Sequence, residues 1–199
     1  ASYKKALKIN PGYADAYYSM GVALHEQDDL AAAIVSYNQA LKIEPDYIEA
    51  HLNKGKIFKD QGDIEASILS YNRALKIDPG LTEAHYNMGN ALKEKGNLDA
   101  AVASYNKALM LNADFTEAHY NMGLVLMERG DLDAALDSYR RALKINPDYA
   151  DALNNKGVAL AKKGNLDAAV ANYNKALMLN ADFTEAHYNM GLALTEKGD

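Results

Sequence analysis

An asparagine recurs once every 34 residues along most of the chain. The set comprises Asn53, Asn87, Asn121, Asn155 and Asn189. A primary amide both donates and accepts hydrogen bonds, so it can pair with a polypeptide backbone whatever side chains that polypeptide carries. Asparagine is also a poor helix former, so its recurrence inside predicted helices needs a reason. Two reasons compete: contact with a bound peptide, or a hydrogen bond to a neighbouring helix that fixes the helix stacking.

The peptide hypothesis makes a geometric prediction. Packed helices lie about 8–10 Å apart, and an extended peptide advances about 3.3 Å per residue. If equivalent helices are spaced similarly, one asparagine would meet about every third peptide residue. We therefore expect the amides of Asn87, Asn121 and Asn155 to point into a groove and to have no partner within the protein.

Other polar and aromatic residues accompany the asparagines. A tyrosine precedes most of these places, and Asn90 follows Asn87 by three residues. The tyrosines could offer a flat amphipathic surface to a ligand or could pack against the adjacent repeat, and both alternatives stay open. Besides the five asparagines, the predicted peptide-binding groove comprises Tyr18, Tyr86, Tyr120, Tyr188 and Asn90.

Histidines recur four residues before a repeated glycine, which raises the possibility of a metal site. They are His51, His85, His119 and His187. Tyr17 and Leu153 occupy the same place in other repeats, and no second ligand lies three or four residues away. We predict that these imidazoles fill space between helices. The sequence predicts no metal site, no cofactor and no catalytic group.

The elements that must position these residues follow from the same period. A glycine, a small residue, a tyrosine and an alanine keep fixed positions in each repeat, which predicts closely packed helix pairs. The glycines are Gly21, Gly55, Gly89, Gly123, Gly157 and Gly191, and the tyrosines, 16 residues later, are Tyr37, Tyr71, Tyr105, Tyr139 and Tyr173.

Capping residues predict the helix ends. Gly62, Gly96, Gly130, Gly164 and Gly198 can end a first helix in the left-handed conformation. Asp29, Asp63, Asn97, Asp131 and Asn165 can cap a second helix. First helices are predicted at 14–27, 48–61, 82–95, 116–129, 150–163 and 184–197, and second helices at 30–43, 64–77, 98–111, 132–145 and 166–179.

The combined pattern resembles the tetratricopeptide repeat family over essentially the whole chain. The resemblance implies an all-α, right-handed superhelical solenoid whose first helices line the concave face. We predict one domain over 1–199, with half repeats at 1–13 and 184–199 and full repeats at 14–47, 48–81, 82–115, 116–149 and 150–183. Ala113 and Ala181 replace the turn proline of the other repeats, but Asn112 and Asn180 still supply turn residues.

Two known groove types help to predict the ligand. Chaperone-tail binders of the family use a clamp of Lys, Arg and Asn on the first helices. This chain has Tyr18, Val22, Tyr86 and Asn90 at the equivalent places, so the cations are missing and that ligand class is disfavoured. The Ala-His-x-Asn segments are similar to the repeat arm of O-linked N-acetylglucosamine transferases, in which an asparagine ladder holds substrate backbone. The prediction is a scaffold that binds an extended polypeptide; the alternative is the substrate-recruiting arm of a larger enzyme such as a glycosyltransferase.

The amino-acid composition limits the classes of partner that the chain is expected to bind. The formal net charge of −6 argues against nucleic acid, which binds chiefly through Lys and Arg. No stretch has the length of a membrane span, so we predict no membrane contact. The absence of cysteine fits a reducing compartment and favours the cytoplasm without proving it.

The two half repeats predict self-association. Residues 1–10 match the end of a second helix, and residues 184–197 match a first helix, as expected for a piece of a longer array. Stacked repeats need polar caps, because a single repeat cannot bury its own apolar face. We therefore expect the tail of one molecule to dock on the head of the next and complete a hybrid repeat.

Overall fold

The computed structural model describes residues 2–198; residues 1 and 199 of the predicted half repeats lie outside that range. Twelve α-helices joined by short turns occupy the described residues, without any strand, which confirms the all-α prediction. The helices are α1 (Ser2–Ile9), α2 (Ala14–Glu26), α3 (Leu30–Ile43), α4 (Ile48–Asp60), α5 (Ile64–Ile77), α6 (Thr82–Glu94), α7 (Leu98–Leu111), α8 (Thr116–Glu128), α9 (Leu132–Ile145), α10 (Ala150–Lys162), α11 (Leu166–Leu179) and α12 (Thr184–Lys197). None of these helices is long and apolar enough to cross a membrane.

The helix boundaries agree closely with the predicted ones. All five second helices match at both ends, and the first helices α2, α4, α6, α8 and α10 end one residue earlier than predicted. Each stops because the chain turns into the left-handed region two residues later, as at Gly62 with φ of 79°. In the first repeat Asp28 takes that conformation with φ of 61°, which costs a residue with a Cβ about 1–2 kcal/mol.

The predicted caps of the second helices are only partly correct. The side chains of Asp29, Asp63 and Asp131 accept hydrogen bonds from the backbone N–H three residues later, at 3.2, 3.1 and 3.4 Å. The prediction was wrong for Asn97 and Asn165, whose side chains make no such bond. A carboxylate carries the charge that favours a helix N-terminus, whereas a neutral amide does not.

The turns that lack proline keep their geometry. Asn112 Oδ1 accepts from the backbone N–H of Asp114 at 3.1 Å, and Asn180 Oδ1 accepts from that of Asp182 at 3.2 Å. Asn146, in a turn that has its proline, makes the same bond. The asparagine side chain therefore closes the turn with or without the proline, as predicted.

The helices form two compact units, residues 1–96 with α1–α6 and residues 97–199 with α7–α12. In the first unit each helix packs on the next, and α4 also contacts α6. In the second unit each helix likewise packs on the next, and α8, α10 and α12 also contact each other in sequence. First helices thus lie beside first helices within each unit. That all repeats form one domain stays a prediction.

The repeated glycine and tyrosine meet at the centre of the helix pairs α2–α3 and α4–α5 in the first unit and α8–α9 and α10–α11 in the second. Tyr37, Tyr71 and Tyr139 are fully buried. A Cβ added at Gly21, in α2, would lie only 2.6 Å from Cε1 of Tyr37 in α3. The absence of a side chain on the glycine therefore lets the tyrosine ring lie directly against the first-helix backbone.

Candidate functional site

The repeated asparagines lie on the first helices, and their side chains reach the preceding first helix. In the first unit, Nδ2 of Asn53 in α4 donates to the hydroxyl of Tyr18 in α2 at 3.2 Å. In the second unit, Nδ2 of Asn155 in α10 donates to the hydroxyl of Tyr120 in α8 at 3.0 Å. Each bond joins residues 35 apart, so the same contact recurs in both units.

Two helices lack the tyrosine, and they show what the asparagine needs in order to form its hydrogen bond. Asn154 occupies the tyrosine place in α10, and its Oδ1 accepts from Nδ2 of Asn189 at 3.0 Å. Leu52 occupies that place in α4 and has no acceptor. Correspondingly, the Asn87 amide has no hydrogen bond to any residue among 2–198. The residue one repeat earlier therefore decides whether the amide is used inside the protein.

The expectation of three free amides was therefore wrong for two of them. Asn155 donates to Tyr120, and Asn121 also has an interaction partner. Only Asn87 has the free amide that we expected. The alternative, in which the asparagine fixes the stacking of neighbouring helices, describes Asn53, Asn155 and Asn189. One N–H of each bonded amide is used, so the second N–H and the remaining acceptor lone pairs are still available.

Tyr18 packs against two rings of its own repeat. Its ring lies 4.9 Å from that of Tyr47 in a stacked arrangement and 5.8 Å from that of Tyr37, centroid to centroid. The Tyr47 hydroxyl donates to Oδ1 of Asp15 at 2.8 Å. Burial, and then the Asp15 carboxylate, raise the pKa of Tyr47. This aromatic cluster holds the acceptor of Asn53 in place.

Tyr120 has equivalent surroundings in the second unit, with its ring 4.8 Å from Tyr149 and 6.1 Å from Tyr139. Burial raises the pKa of Tyr120 as well. By contrast, Tyr188 in α12 is 67% exposed. Tyr18 and Tyr120 thus pack against rings of their own repeats and accept a hydrogen bond from the asparagine of the next repeat, whereas Tyr188 offers its ring to solvent.

The remaining predicted groove residues lie in α6. Tyr86 and Asn90 are partly buried, and each has an interaction partner. Asn87 is also partly buried and lies on the same helix. Near this row, Lys56 in α4 forms an ion pair with Glu83 in α6 at 2.6 Å.

The recurring histidines hold the turns between repeats. Nε2 of His51 donates to the carbonyl oxygen of Pro45 at 2.9 Å, and His85 and His119 make the same bond at 3.0 Å to the residues six before them. These three side chains are buried, as predicted for space-filling residues, but the prediction was wrong for His187, which makes the same bond and is exposed. The bond gives each histidine a second role, that of holding the turn before its helix, and this role was not predicted from the sequence. Within residues 2–198, no group of three or more His, Cys, Asp or Glu side chains is placed so that it could hold a metal ion.

Protonation of His51 and His119 is unfavourable. Burial lowers the pKa of His51 and His119, and nearby cations (Lys54 and Arg73 for His51, Arg141 for His119) lower it further. Because Nε2 donates to a carbonyl, the proton would be added at Nδ1, which is buried without a partner in both residues.

One buried charge was not predicted from the sequence. Lys54, in α4, is only 8% exposed. Methionine fills this place, directly before the repeated glycine, at Met20, Met88, Met122 and Met190, and lysine fills it at Lys54 and Lys156. Two lysines in a row that is otherwise methionine were the available signal.

Comparison with known proteins identifies the family. The profile described as TPR repeat matches six overlapping segments, 1–28, 23–62, 55–96, 89–128, 123–164 and 159–198. The chain belongs to the TPR repeat family. Proteins of this family are generally scaffolds for protein–protein interaction, and no catalytic family was identified. No curated protein matches the chain.

Solved structures show the same fold. YrrB, described as a TPR protein with an unusual peptide-binding site, has a TM-score of 0.82 at 25% identity, over 94% of this chain and 97% of YrrB. MamA has a TM-score of 0.78 at 30% identity, over 81% of this chain and 94% of MamA. The pilF protein of Pseudomonas aeruginosa, at 19% identity, has a TM-score of 0.81 over 96% of this chain and 86% of its own, and shows the fold alone.

Proposed function

We propose that the first-helix face binds an extended polypeptide as part of a protein-interaction scaffold. This face comprises the asparagine rows on α4 and α6 in the first unit and on α8, α10 and α12 in the second. The observation that carries the proposal is the Asn87 amide. It has no hydrogen-bond partner among residues 2–198, and it lies in a row whose other member, Asn53, is held in a fixed orientation by Tyr18. YrrB, of the same family, has a peptide-binding site.

The asparagines differ in how many hydrogen-bonding groups they can offer to a bound peptide. Asn87 can offer its whole amide to a peptide backbone. Asn53 and Asn155 can offer one N–H and the carbonyl oxygen, because Tyr18 and Tyr120 take the other N–H. The Asn–Tyr bonds orient these amides, which lowers the side-chain entropy lost on binding.

The test compares two variants. Peptides selected from a random-sequence library on the full chain are titrated against wild type, Asn87→Ala and Asn155→Ala. Asn87→Ala should weaken binding about five- to tenfold without lowering the urea midpoint, since its amide makes no internal bond and alanine is the better helix former. Asn155→Ala has the same gain in helix propensity but loses the bond to Tyr120, so it should be about 1 kcal/mol less stable than Asn87→Ala.

Peptides that bind with equal affinity to wild type and to Asn87→Ala would refute the proposal. A fall in stability for Asn87→Ala as large as that for Asn155→Ala would assign the row to helix stacking alone. The alternative function, recruitment of a substrate to an attached glycosyltransferase, would use the same face. It is supported by the similarity of the Ala-His-x-Asn segments to the repeat arm of O-linked N-acetylglucosamine transferases.

A second candidate function is head-to-tail self-association. In the helix pairs α2–α3, α4–α5, α8–α9 and α10–α11 the tyrosine ring lies on the repeated glycine, yet a Cβ added at Gly191 in α12 would meet no atom within 4 Å. Tyr3 in α1 occupies the tyrosine position of the repeat and is 43% exposed. Tyr3 of one molecule therefore fits the open surface at Gly191 of another, next to the exposed Leu192.

Sedimentation velocity across a concentration series tests this contact. Tyr3→Ala should weaken association, whereas Tyr13→Ala, which removes a tyrosine of similar exposure from the α1–α2 turn, should not. Monomer at every concentration, or equal effects of the two variants, would refute it.

A further inference from the structure

The strongest unexplained feature is a cationic cleft formed by second helices. We name it the α3–α5 cleft: a cavity of about 610 Å³ between α3 and α5, with α4 at its base. Its charged lining residues are Lys42, Lys54, Arg73, Lys76 and Asp46. Four cations and one carboxylate thus share one cavity in a chain whose formal net charge is −6.

Lys54 is the unusual member. Its ammonium donates to Oδ1 of Asn38 at 2.6 Å and lies 5.8 Å from the ring centroid of Phe58. Burial lowers the pKa of Lys54, and the charge of Arg73 lowers it further. An ammonium offers three N–H donors, so a single neutral acceptor leaves most of its hydrogen-bonding capacity unused. Holding this charge away from water is therefore costly.

The cations of the cleft have no carboxylate partners. Neither Lys42, Lys54, Arg73 nor Lys76 forms an ion pair with any residue among 2–198. Cations elsewhere do so across neighbouring helices, as Lys95 does with Glu65 at 2.7 Å. The positive charge of the cleft is therefore not neutralised by ion pairs within residues 2–198, and Asp46 is the one carboxylate in its lining.

An equivalent cleft between α7 and α9 shows that the fold does not need this charge. Its volume is about 460 Å³, and Met122 and Met110 hold the places of Lys54 and Lys42. Its one cation, Arg141, is paired with Asp137 at 2.9 Å. Methionine therefore satisfies the packing at this place.

A third cleft, between α9 and α11, has the cationic arrangement again. It is lined by Lys156 and Lys175, which form no ion pair with any described residue, and by Asp148. Burial lowers the pKa of Lys156, as it does for Lys54. This place thus holds a lysine in the first and third of these clefts and a methionine in the second.

We infer that the α3–α5 cleft binds a polypeptide segment that carries oxyanions, either a run of Asp and Glu side chains or a phosphorylated residue. The incoming carboxylate or phosphate would accept from Lys54 and Arg73, while Lys42 and Lys76 attract it from the rim. Leu41 and Ile77 line the same cavity and can contact the apolar parts of the segment. This site uses second helices and is independent of the peptide site proposed on the first helices.

Fluorescence anisotropy on the full chain tests the inference with three labelled peptides of one length: a Glu/Asp peptide, a phosphoserine peptide, and a Gln/Asn peptide as the neutral match. We expect at least one anionic peptide to bind, the neutral peptide to bind much more weakly, and added salt to weaken binding. Lys54→Met should lower the affinity about tenfold, since it removes a buried hydrogen bond to a charged group. The anionic peptide that binds more tightly shows whether carboxylates or a phosphate group are the preferred ligand of the cleft.

Lys56→Met is the matched control. It removes the same charge from the same helix, but Lys56 is paired with Glu83 near the first-helix row. We expect this variant to lower the affinity less than twofold, the level of a screened, exposed charge. Arg73→Gln, at an exposed position, gives a second cleft variant in case Lys54→Met alters the helicity. Asn87→Ala should leave binding of the anionic peptide unchanged, which separates this inference from the proposed function.

Three results would overturn the inference: no binding of either anionic peptide, equal losses for Lys54→Met and Lys56→Met, or binding of the neutral peptide with similar affinity. Complete displacement of the peptide by an equal concentration of inorganic phosphate would assign the cleft to a small free anion and would also overturn it.

Discussion

The contact between the repeated glycine and tyrosine can be tested by adding one methyl group. In the Gly123→Ala variant, the new Cβ would lie 2.5 Å from Cε1 and 2.8 Å from Cδ1 of Tyr139. Ordinary van der Waals contact begins near 3.4 Å, so the ring or the helix must move by close to 1 Å. Tyr139 is fully buried, which leaves the ring little room to move.

Two effects of opposite sign contribute to the stability of this variant. Overpacking of a closely packed core costs about 1–3 kcal/mol. Replacing glycine by alanine inside a helix gains about 1 kcal/mol. Gly191→Ala has the same helical gain but no clash, because nothing lies within 4 Å of its Cβ. The difference between the two variants therefore isolates the clash, about 1–3 kcal/mol.

Urea unfolding followed by circular dichroism measures both variants. We expect Gly123→Ala to unfold at a lower urea concentration than wild type, and Gly191→Ala to be unchanged or slightly more stable. In a Tyr139→Ala background the effect of Gly123→Ala should change sign, because the ring is gone. A Gly123→Ala protein as stable as Gly191→Ala would refute the argument.

Three further predictions follow from single contacts. Because the folded-state pKa of His119 is lowered, its contribution to stability is present above about pH 6.5 and is lost as the pH falls from there towards the folded pKa, by up to about 1.4 kcal/mol per pH unit. Urea midpoints at a series of pH values should show this, and His119→Leu, the residue found at Leu153, should reduce the slope. Asp28→Gly should raise the free energy of unfolding by about 1 kcal/mol in urea titrations, because glycine adopts the left-handed conformation without the steric cost of a Cβ. Gly62→Asp should lower it by a similar amount for the same reason. Urea midpoints equal to that of wild type in both variants would contradict this. Tyr139→Phe should keep or raise the thermal midpoint, since the hydroxyl is buried without a partner, and a large fall would reveal a partner for it.

The sequence by itself determined the elements and their order. The 34-residue period, the capping residues and the alternation of small and aromatic residues predicted the helices to within one residue at nearly every boundary. These features act locally: a left-handed glycine ends a helix, and an asparagine closes a turn, whatever lies beyond the neighbouring residues. The family followed from the same pattern.

Only the tertiary structure decided how the polar side chains are used. The sequence could not assign the Asn155 amide, because its partner, Tyr120, lies one repeat away and is brought near by helix stacking. Likewise, the methionine row marks the place of Lys54 as unusual for a lysine, but only the packing of α3 and α5 over α4 removes its side chain from water. Hydrogen bonds and burial across repeats depend on which helices meet, and that is a property of the stacked fold rather than of the local sequence.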